Sequence, residues 1–179
     1  MNTQRKPKTR ILTFMRQFPA YHPRKGEPTF FVEKLCNSFL MQGYSIYLSD
    51  TPIEFLESLS DKMFKPKHHT IRAGNHFQPG DFVRPCVWAK PGGRFTKGNT
   101  LIRFATDIEV VKTWDFDIKI DEAELKHSLI LLNKAIQDKQ LVTEIAKNDG
   151  LEFIDFLSWF QFPKPFSGQI ICWNPDIKY

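Results

Sequence analysis

Short apolar stretches separated by glycine and proline dominate the hydrophobic pattern of this 179-residue chain. Such stretches, rich in β-branched and aromatic side chains, are typical of short strands bounded by turns. They predict strands at residues 11–14, around Ile71, and at 82–88, 100–104 and 168–173. Residues 107–120 alternate between apolar and polar positions over most of their length, which predicts one long bent strand or two short ones.

Other segments repeat their apolar residues at helical spacing. Residues 29–42 do so and are followed by Gly43, which predicts a helix that ends there. A second helix is predicted at 51–63, because Thr51 is a suitable N-cap with Pro52 in the first turn. Residues 141–147 and 152–160 predict two shorter helices, whereas 129–132 fit either a strand or a helix.

Many short strands with helices at the margins favour an α+β fold built on a small mixed β-barrel. The length and the 41% hydrophobic content allow one well-packed core, so we expect a single domain at residues 11–179. No internal repeat and no low-complexity tract interrupts it.

The net charge of +5 is concentrated at the N-terminus, in Arg5, Lys6, Lys8 and Arg10. The rest of the chain is therefore nearly neutral. Residues 1–10 are predicted to form a basic flexible tail, which is either simply solvated or attracted to nucleic acid without sequence preference.

Cys36, Cys86 and Cys172 are widely spaced among apolar neighbours, which predicts reduced, buried thiols. No apolar run approaches the roughly 18 to 20 residues that cross a bilayer, and no signal-peptide pattern precedes residue 11. We therefore expect a cytoplasmic protein with no membrane partner. Gly92-Gly93 and Gly98 form no phosphate-binding loop, so we predict no cofactor.

The richest chemistry lies in six consecutive residues, Lys67-His68-His69-Thr70-Ile71-Arg72. A threonine hydroxyl becomes a nucleophile when an adjacent base takes its proton, and a lysine with a lowered pKa can be that base. Arg72 can clamp a carboxylate, a phosphate or a base edge, or it can pair with Asp81, Asp107 or Asp149. Taken locally, the segment also fits a solvated basic strand end.

Histidines and aromatic residues surround this segment. His68, His69 and His76 with Cys86 lack the spacing of known metal motifs, so we predict no metal site. The imidazoles can still line a pocket. Phe77, Trp88 and Trp114 are candidates for stacking on a base, although the parity of its strand favours a core position for Trp114.

Three motifs together resemble the ASCH domains of the PUA-like superfamily. They are Thr13-Phe14-Met15-Arg16-Gln17-Phe18, Lys67-His68-His69-Thr70-Ile71-Arg72 and His76-Phe77-Gln78-Pro79-Gly80-Asp81. The pattern is closest to that of the small bacterial acetylcytidine amidohydrolases. This resemblance implies a PUA-like barrel with flanking helices, in which residues 20–64 are a helical insertion after the first strand.

The resemblance also implies roles for individual residues. Thr70 matches the family's nucleophile and Lys67 the base that activates it. The family's acid precedes a late helix, so the corresponding residue here is Asp149, or the acid is missing. The motif residues implied to contact the nucleoside or nucleic acid are Arg16, His69, Arg72, His76 and Phe77.

We thus expect a nucleoside or RNA as the partner, bound in a pocket with Lys67, Thr70 and Arg72 as its floor. Hydrolysis of an amide on a modified cytidine is the activity that the resemblance implies. Two alternatives remain open. One is a non-catalytic module that binds single-stranded RNA. The other is a protein-interaction domain that uses the helices at 29–63.

Overall fold

The computed structural model describes residues 5–46, 64–90, 93–121, 126–131, 134–136, 139–160 and 165–179. Within these residues the chain is a mixed α+β protein with three helices and two sheets, which confirms the predicted class. The strands are β1 (Thr9–Thr13), β2 (His69–Ala73), β3 (Phe82–Trp88), β4 (Leu101–Arg103), β5 (Ile108–Glu109), β6 (Lys112–Asp121), β7 (Lys126–Leu131), β8 (Lys134–Ile136) and β9 (Phe166–Cys172). The helices are α1 (Phe31–Met41), α2 (Lys139–Asn148) and α3 (Phe153–Trp159).

The first sheet has the order β1-β3-β4, and β5 also pairs with β3. Strands β1 and β3 are parallel, with Thr9 opposite Phe82, whereas β4 and β5 run antiparallel to β3. The turn that launches β3 is closed by a hydrogen bond from the Asp81 N–H to the Gln78 carbonyl. The Pro79-Gly80-Asp81 turn predicted from sequence therefore sets the start of this strand.

The second sheet is antiparallel, with the order β2-β9-β6-β7-β8. Strand β2, which carries Thr70 and Arg72, forms one edge of it. Gly168 on β9 lies opposite Ala73 of β2, and a Cβ atom at this position would lie only 2.1 Å from the Arg72 carbonyl oxygen. Glycine is therefore required for β2 and β9 to approach each other this closely.

The alternating segment at 107–120 forms two strands, β5 in the first sheet and β6 in the second. The predicted face is buried at Ile108, Val110, Trp114, Phe116 and Ile118. Trp114 is thus a core residue. The chain passes from one sheet to the other at Val110 and Val111, and the pairings among the described strands do not confirm a closed barrel.

Helix α1 supplies much of the core. Its Val32, Leu35 and Phe39 side chains pack in one cluster with Phe104 and Trp173. The segment after β1 is therefore part of the main core at this helix. The predicted helix at 51–63 lies outside the described residues.

Helices α2 and α3 cover the other side of the second sheet, where Ile145 and Phe156 pack with Phe116 and Ile170. The predicted helices at 141–147 and 152–160 match them to within two residues at each end. Residues 129–132, which fitted a strand or a helix, begin within β7. The strand alternative is therefore the correct one for 129–131.

The N-terminal segment is attached to the body. Arg5 donates to the Asp81 carboxylate at 2.8 Å, and the Lys8 N–H donates to the same carboxylate at 2.9 Å. Strand β1 then begins at Thr9, before the predicted end of the flexible tail at residue 10. Residues 5–8 are therefore fixed to the body by the buried Asp81 carboxylate, and we call them the N-terminal strap.

The three cysteines are buried free thiols, as predicted. Burial raises the pKa of Cys36 to about 12 and that of Cys172 to about 11, so both stay protonated at neutral pH. Among the described helices, none has the length and apolar character needed to cross a membrane.

Candidate functional site

Lys67 lies two residues before the start of β2, and its side chain is only 1% exposed. Its Nζ atom donates to Oδ1 of Asp149 at 2.6 Å and also to the main-chain carbonyl of Asp149. The ammonium group lies 4.5 Å from the centre of the Phe31 ring. Lys67 is therefore a buried cation held by one carboxylate, one carbonyl and an aromatic face.

The backbone of Lys67 is fixed on both sides. Its N–H donates to the Lys34 carbonyl of α1 at 3.0 Å. Its carbonyl accepts from the Trp173 indole N–H at 3.1 Å, just after β9. Two elements that are distant in sequence thus fix the lysine backbone before the regular pleat of β2 begins. From this position the side chain extends to the Asp149 carboxylate.

Asp149 occupies the C-terminal end of α2. Gly150 follows with a φ of +79°, a left-handed conformation that glycine adopts without strain, and the Leu151 N–H returns to the Ala146 carbonyl. The Lys34 ammonium donates to the Gly150 carbonyl at 2.6 Å. The sharp end of the helix therefore directs the Asp149 carboxylate toward the edge of β2, where the Ile71 backbone helps to lower the pKa of this carboxyl group against the effect of burial.

Burial changes the protonation of this pair. It lowers the pKa of Lys67 to about 8, although the adjacent Asp149 carboxylate opposes the shift. Burial also raises the pKa of Asp149, against the opposing effect of Lys67. Both shifts favour the neutral forms, because a low-dielectric site penalises charge. Lys67 is thus closer to releasing its proton near neutral pH than a solvent-exposed lysine.

His69 extends this cluster and is fully buried. Its Nε2 lies 2.8 Å from the Tyr179 hydroxyl, which also accepts from the Asn148 amide at 2.9 Å. Its Nδ1 lies 3.6 Å from Oδ1 of Asp149. Burial, reinforced by the nearby Lys67 charge, lowers the pKa of His69 well below its ordinary value, so the imidazole is neutral.

Thr70 and Arg72 alternate with His69 along β2, so they belong to the other face of the strand. Thr70 is 4% exposed, and the hydrogen bonds of the Lys67 ammonium go to Asp149 and not to the Thr70 hydroxyl. The lysine and the acid of the implied catalytic set therefore meet, whereas direct contact between lysine and threonine is not formed.

Arg72 makes none of the three ion pairs considered from sequence. Its guanidinium donates to the Thr13 carbonyl at 2.7 Å and lies 5.2 Å from the centre of the Phe14 ring. Within the described part of the chain, the buried Nε has no hydrogen-bond partner. Burial lowers the pKa of Arg72, with Asp149 opposing the shift. Arg72 thus joins the second sheet to the end of β1.

All three carboxylates bind other cations, and Asp149 binds Lys67 as described above. Asp81 accepts from Arg5. Asp107 accepts from Arg84 at 2.9 Å and from Arg103 at 3.0 Å. The sequence alone could not assign the partner of Arg72, because several cations compete for the same carboxylates and only the fold shows which pairs form.

The remaining predicted binding residues are separated. Phe77 is buried in a small cluster with Val83, Val110 and Ile171, so its ring does not face a ligand and the prediction of stacking there is wrong. His76 is exposed, and its backbone N–H donates to Gln169 at 2.7 Å. Arg16 is exposed beyond β1 and lines a cavity.

This cavity has a volume of about 650 Å³ and lies between the segment after β1 and the β3–β4 connection. It has four aromatic rings and three cations in its wall, which are Phe14, Phe18, Trp88, Phe95, Arg16, Lys90 and Arg94. Lys67, Thr70 and Arg72 are not among its described lining residues, so this cavity is distinct from the pocket floor that the sequence predicts. Arg72 instead contacts two wall residues, Thr13 and Phe14, from outside the cavity.

Sequence reasoning found Arg16 and Trp88 but missed Lys90, Arg94 and Phe95. The available signal was Gly93-Arg94-Phe95, a cation and an aromatic residue directly after a glycine turn. It missed Tyr179 as well, because a tyrosine far along the chain carries no local mark of its contact with His69.

Comparison of the chain with protein-family models, with curated proteins and with solved structures gives no match in any of the three.

Proposed function

We propose that this chain is a nucleoside- or RNA-binding domain of the ASCH type, with the cavity beside β1 as the binding site. One observation carries the proposal: the cavity combines four aromatic rings with Arg16, Lys90 and Arg94, and none of the described residues that line it is a carboxylate. Aromatic faces stack on bases, and arginine and lysine side chains bind phosphate. A volume of about 650 Å³ lies within the range of small-ligand sites.

The strand arrangement supports the PUA-like part of this proposal. The chain crosses between the two sheets at Val110 and Val111, and a shared cluster contains Val83 from β3 and Ile171 from β9. Two sheets that share a strand corner and an interior are what a partly open barrel requires. We therefore propose a partly open PUA-like barrel.

Binding is tested by titrating the intact protein with cytidine 5′-monophosphate and with a short single-stranded RNA, using tryptophan fluorescence as the readout. Trp88 lines the cavity, so a stacked base should quench its emission. Arg16→Gln should weaken binding. Arg10→Gln is the matched control, because Arg10 is exposed on β1 and does not line the cavity. Equal affinity in the two variants, or no binding by the intact protein, contradicts the proposal.

Amide hydrolysis is a second candidate, and the Lys67–Asp149 contact favours it. In this mechanism the neutral Lys67 amine takes the proton of the Thr70 hydroxyl, whose oxygen attacks the acetyl carbonyl of an acetylated cytidine. The amine of cytidine leaves with the proton from Lys67, and water then hydrolyses the acetyl ester on Thr70. Asp149 holds the ammonium form of Lys67 between these steps.

The catalytic version requires a substrate to reach Thr70, which is nearly buried and does not line the cavity. For this reason the binding function comes first. The test measures the release of cytidine from acetylcytidine, with chromatography as the readout. Thr70→Ser should retain part of the activity and Thr70→Ala should abolish it. No release by the intact protein would overturn the catalytic version and leave the binding proposal standing.

A further inference from the structure

The connection between β3 and β4 presents an aromatic ring to solvent. Phe95, in a short 3₁₀ turn at Gly93–Phe95, is 84% exposed. Other large apolar side chains of the protein are also exposed, but Phe95 lines the cavity together with Phe14, Phe18 and Trp88. Its exposed ring therefore extends the aromatic surface of the cavity toward solvent.

Phe95 is held in place by a network centred on Asn99. The Asn99 side chain accepts from the Lys90 N–H at 2.7 Å and donates to the Lys90 and Gly93 carbonyls at 2.8 Å each. The Thr96 N–H donates to the Gly93 carbonyl at 3.2 Å. The turn that carries the ring is therefore braced at both ends, which reduces the entropy cost of binding.

Charge surrounds the ring. The Arg94 guanidinium lies 4.7 Å from the centre of the Phe95 ring, so it shields part of the aromatic surface and leaves the rest open. Lys90 and Arg94 are both exposed and both line the same cavity as Phe95. An aromatic face next to two cations matches the alternation of base and phosphate along a nucleic-acid strand.

We propose that the occupant of the cavity is a single-stranded oligonucleotide, with one base inside the cavity and the neighbouring base stacked on Phe95. The phosphate between the two bases lies against Arg94 and Lys90. This inference rests on the proposed binding function and adds the class of ligand. A free nucleoside uses only the interior, whereas a strand also uses the exposed ring. A duplex is excluded, because its bases are stacked on each other and cannot reach Phe95.

The test compares ligands of different length on variants of the full chain. Affinities for cytidine 5′-monophosphate and for single-stranded octanucleotides of RNA and of DNA are measured by fluorescence titration. Phe95→Ala should weaken octanucleotide binding about 5- to 150-fold, the range for loss of one stacked base, and should weaken mononucleotide binding by a clearly smaller factor. Phe95→Leu should weaken it similarly, and Phe95→Trp should preserve it, since stacking requires an aromatic face.

Ile154→Ala is the control, because it also removes an exposed apolar side chain, 68% exposed, but on α3 away from the cavity. It should not change binding. If the intact protein binds the mononucleotide while Phe95→Ala and Phe95→Leu keep full octanucleotide affinity, the inference is overturned and the proposed binding function stands. If the intact protein binds neither ligand, both fail. An equal loss of RNA and DNA octanucleotide affinity in Phe95→Ala upholds stacking on Phe95 without sugar selectivity.

Discussion

The Lys67 ammonium and the Asp149 carboxylate lie 2.6 Å apart although 82 positions separate them in the chain. Both side chains are almost fully removed from solvent. The contact joins the segment that leads into β2 to the residue that follows α2, so one ion pair connects the edge of the second sheet to the helix that covers it. Desolvation makes such a pair sensitive to the loss of either partner.

Lys67→Met should therefore destabilise the fold strongly, by about 3 to 5 kcal/mol, because the Asp149 charge is left buried without its cation. Lys65→Met is the matched control, since Lys65 is exposed and lies 4.0 Å from the exposed Glu152. Chemical denaturation measures both.

Replacing both partners gives a sharper check on the ion pair. The double variant Lys67→Met/Asp149→Leu should be more stable than the sum of the two single changes predicts, because no unpaired charge remains. If the change in the free energy of unfolding of the double variant equals the sum of the changes in the two single variants, the two residues do not interact.

Stability should fall as pH drops below about 6.5, through His69. The unfolded chain takes up a proton near its ordinary pKa of 6.5, whereas burial lowers the pKa of His69 well below that value in the folded state. The unfolded state thus binds more protons at acidic pH, which favours unfolding.

His69→Gln should flatten this dependence, because glutamine can still contact the Tyr179 hydroxyl but does not titrate. His76→Gln, a change at an exposed histidine, should leave it intact. Thermal melts between pH 4.5 and 7.5, a range set around the histidine pKa, compare the slopes. A slope that His69→Gln does not alter would assign the acid sensitivity to other groups.

Gly168→Ala should destabilise the second sheet, since the added Cβ would lie 2.1 Å from the Arg72 carbonyl oxygen and 2.8 Å from its carbon. Both obstacles are backbone atoms, so β2 must move away from β9. Overpacking typically costs about 1 to 3 kcal/mol, and a clash with backbone belongs at the upper end. Ser167→Ala, at the exposed neighbouring position, is the control in a denaturant titration.

Asp81→Ala should release the N-terminal strap. The Lys8 and Gln78 N–H groups both donate to this carboxylate, and each loses its acceptor. A hydrogen bond to a charged group contributes about 1.5 to 3 kcal/mol, and partial exposure of these two places the cost at the lower end. Arg5→Gln should cost far less, because Arg5 is partly exposed and exposed ion pairs contribute little.

Hydrogen exchange at the Lys8 amide reports this release directly. Exchange there should accelerate strongly in Asp81→Ala and only slightly in Arg5→Gln. Equal protection in both variants would mean that pairing of β1 with β3 alone holds the strap.

Local patterns in the sequence predicted most of the secondary structure. The start of β3 was predictable because the Gly80-Asp81 turn is read from adjacent residues, and the parity of 107–120 correctly identified Trp114 as core. Phe77 was misplaced because nothing local shows that Val83, Val110 and Ile171 close over its ring. A residue in a turn is usually exposed, but tertiary packing buries the Phe77 side chain here.

The candidate site was harder, because its parts come from distant segments. Asp149 could be named as an acid, yet its approach to Lys67 depends on how α2 ends and on Lys34 reaching Gly150. The cavity depends on β1 and β3 lying side by side, so its lining joins Arg16 with Phe95. Such proximity follows from topology, which residue spacing does not encode.

The parallel pairing of β1 with β3 also has a consequence for how the protein is made. Thr9 meets Phe82, so the first strand synthesised has no partner in its sheet until the ribosome has released residues beyond 88. Contacts between such distant segments slow folding, because a long loop must close before any pairing is gained. When the denatured chain refolds, β1 should therefore be the last strand of the first sheet to pair, because β4 and β5 lie much closer to β3 along the sequence.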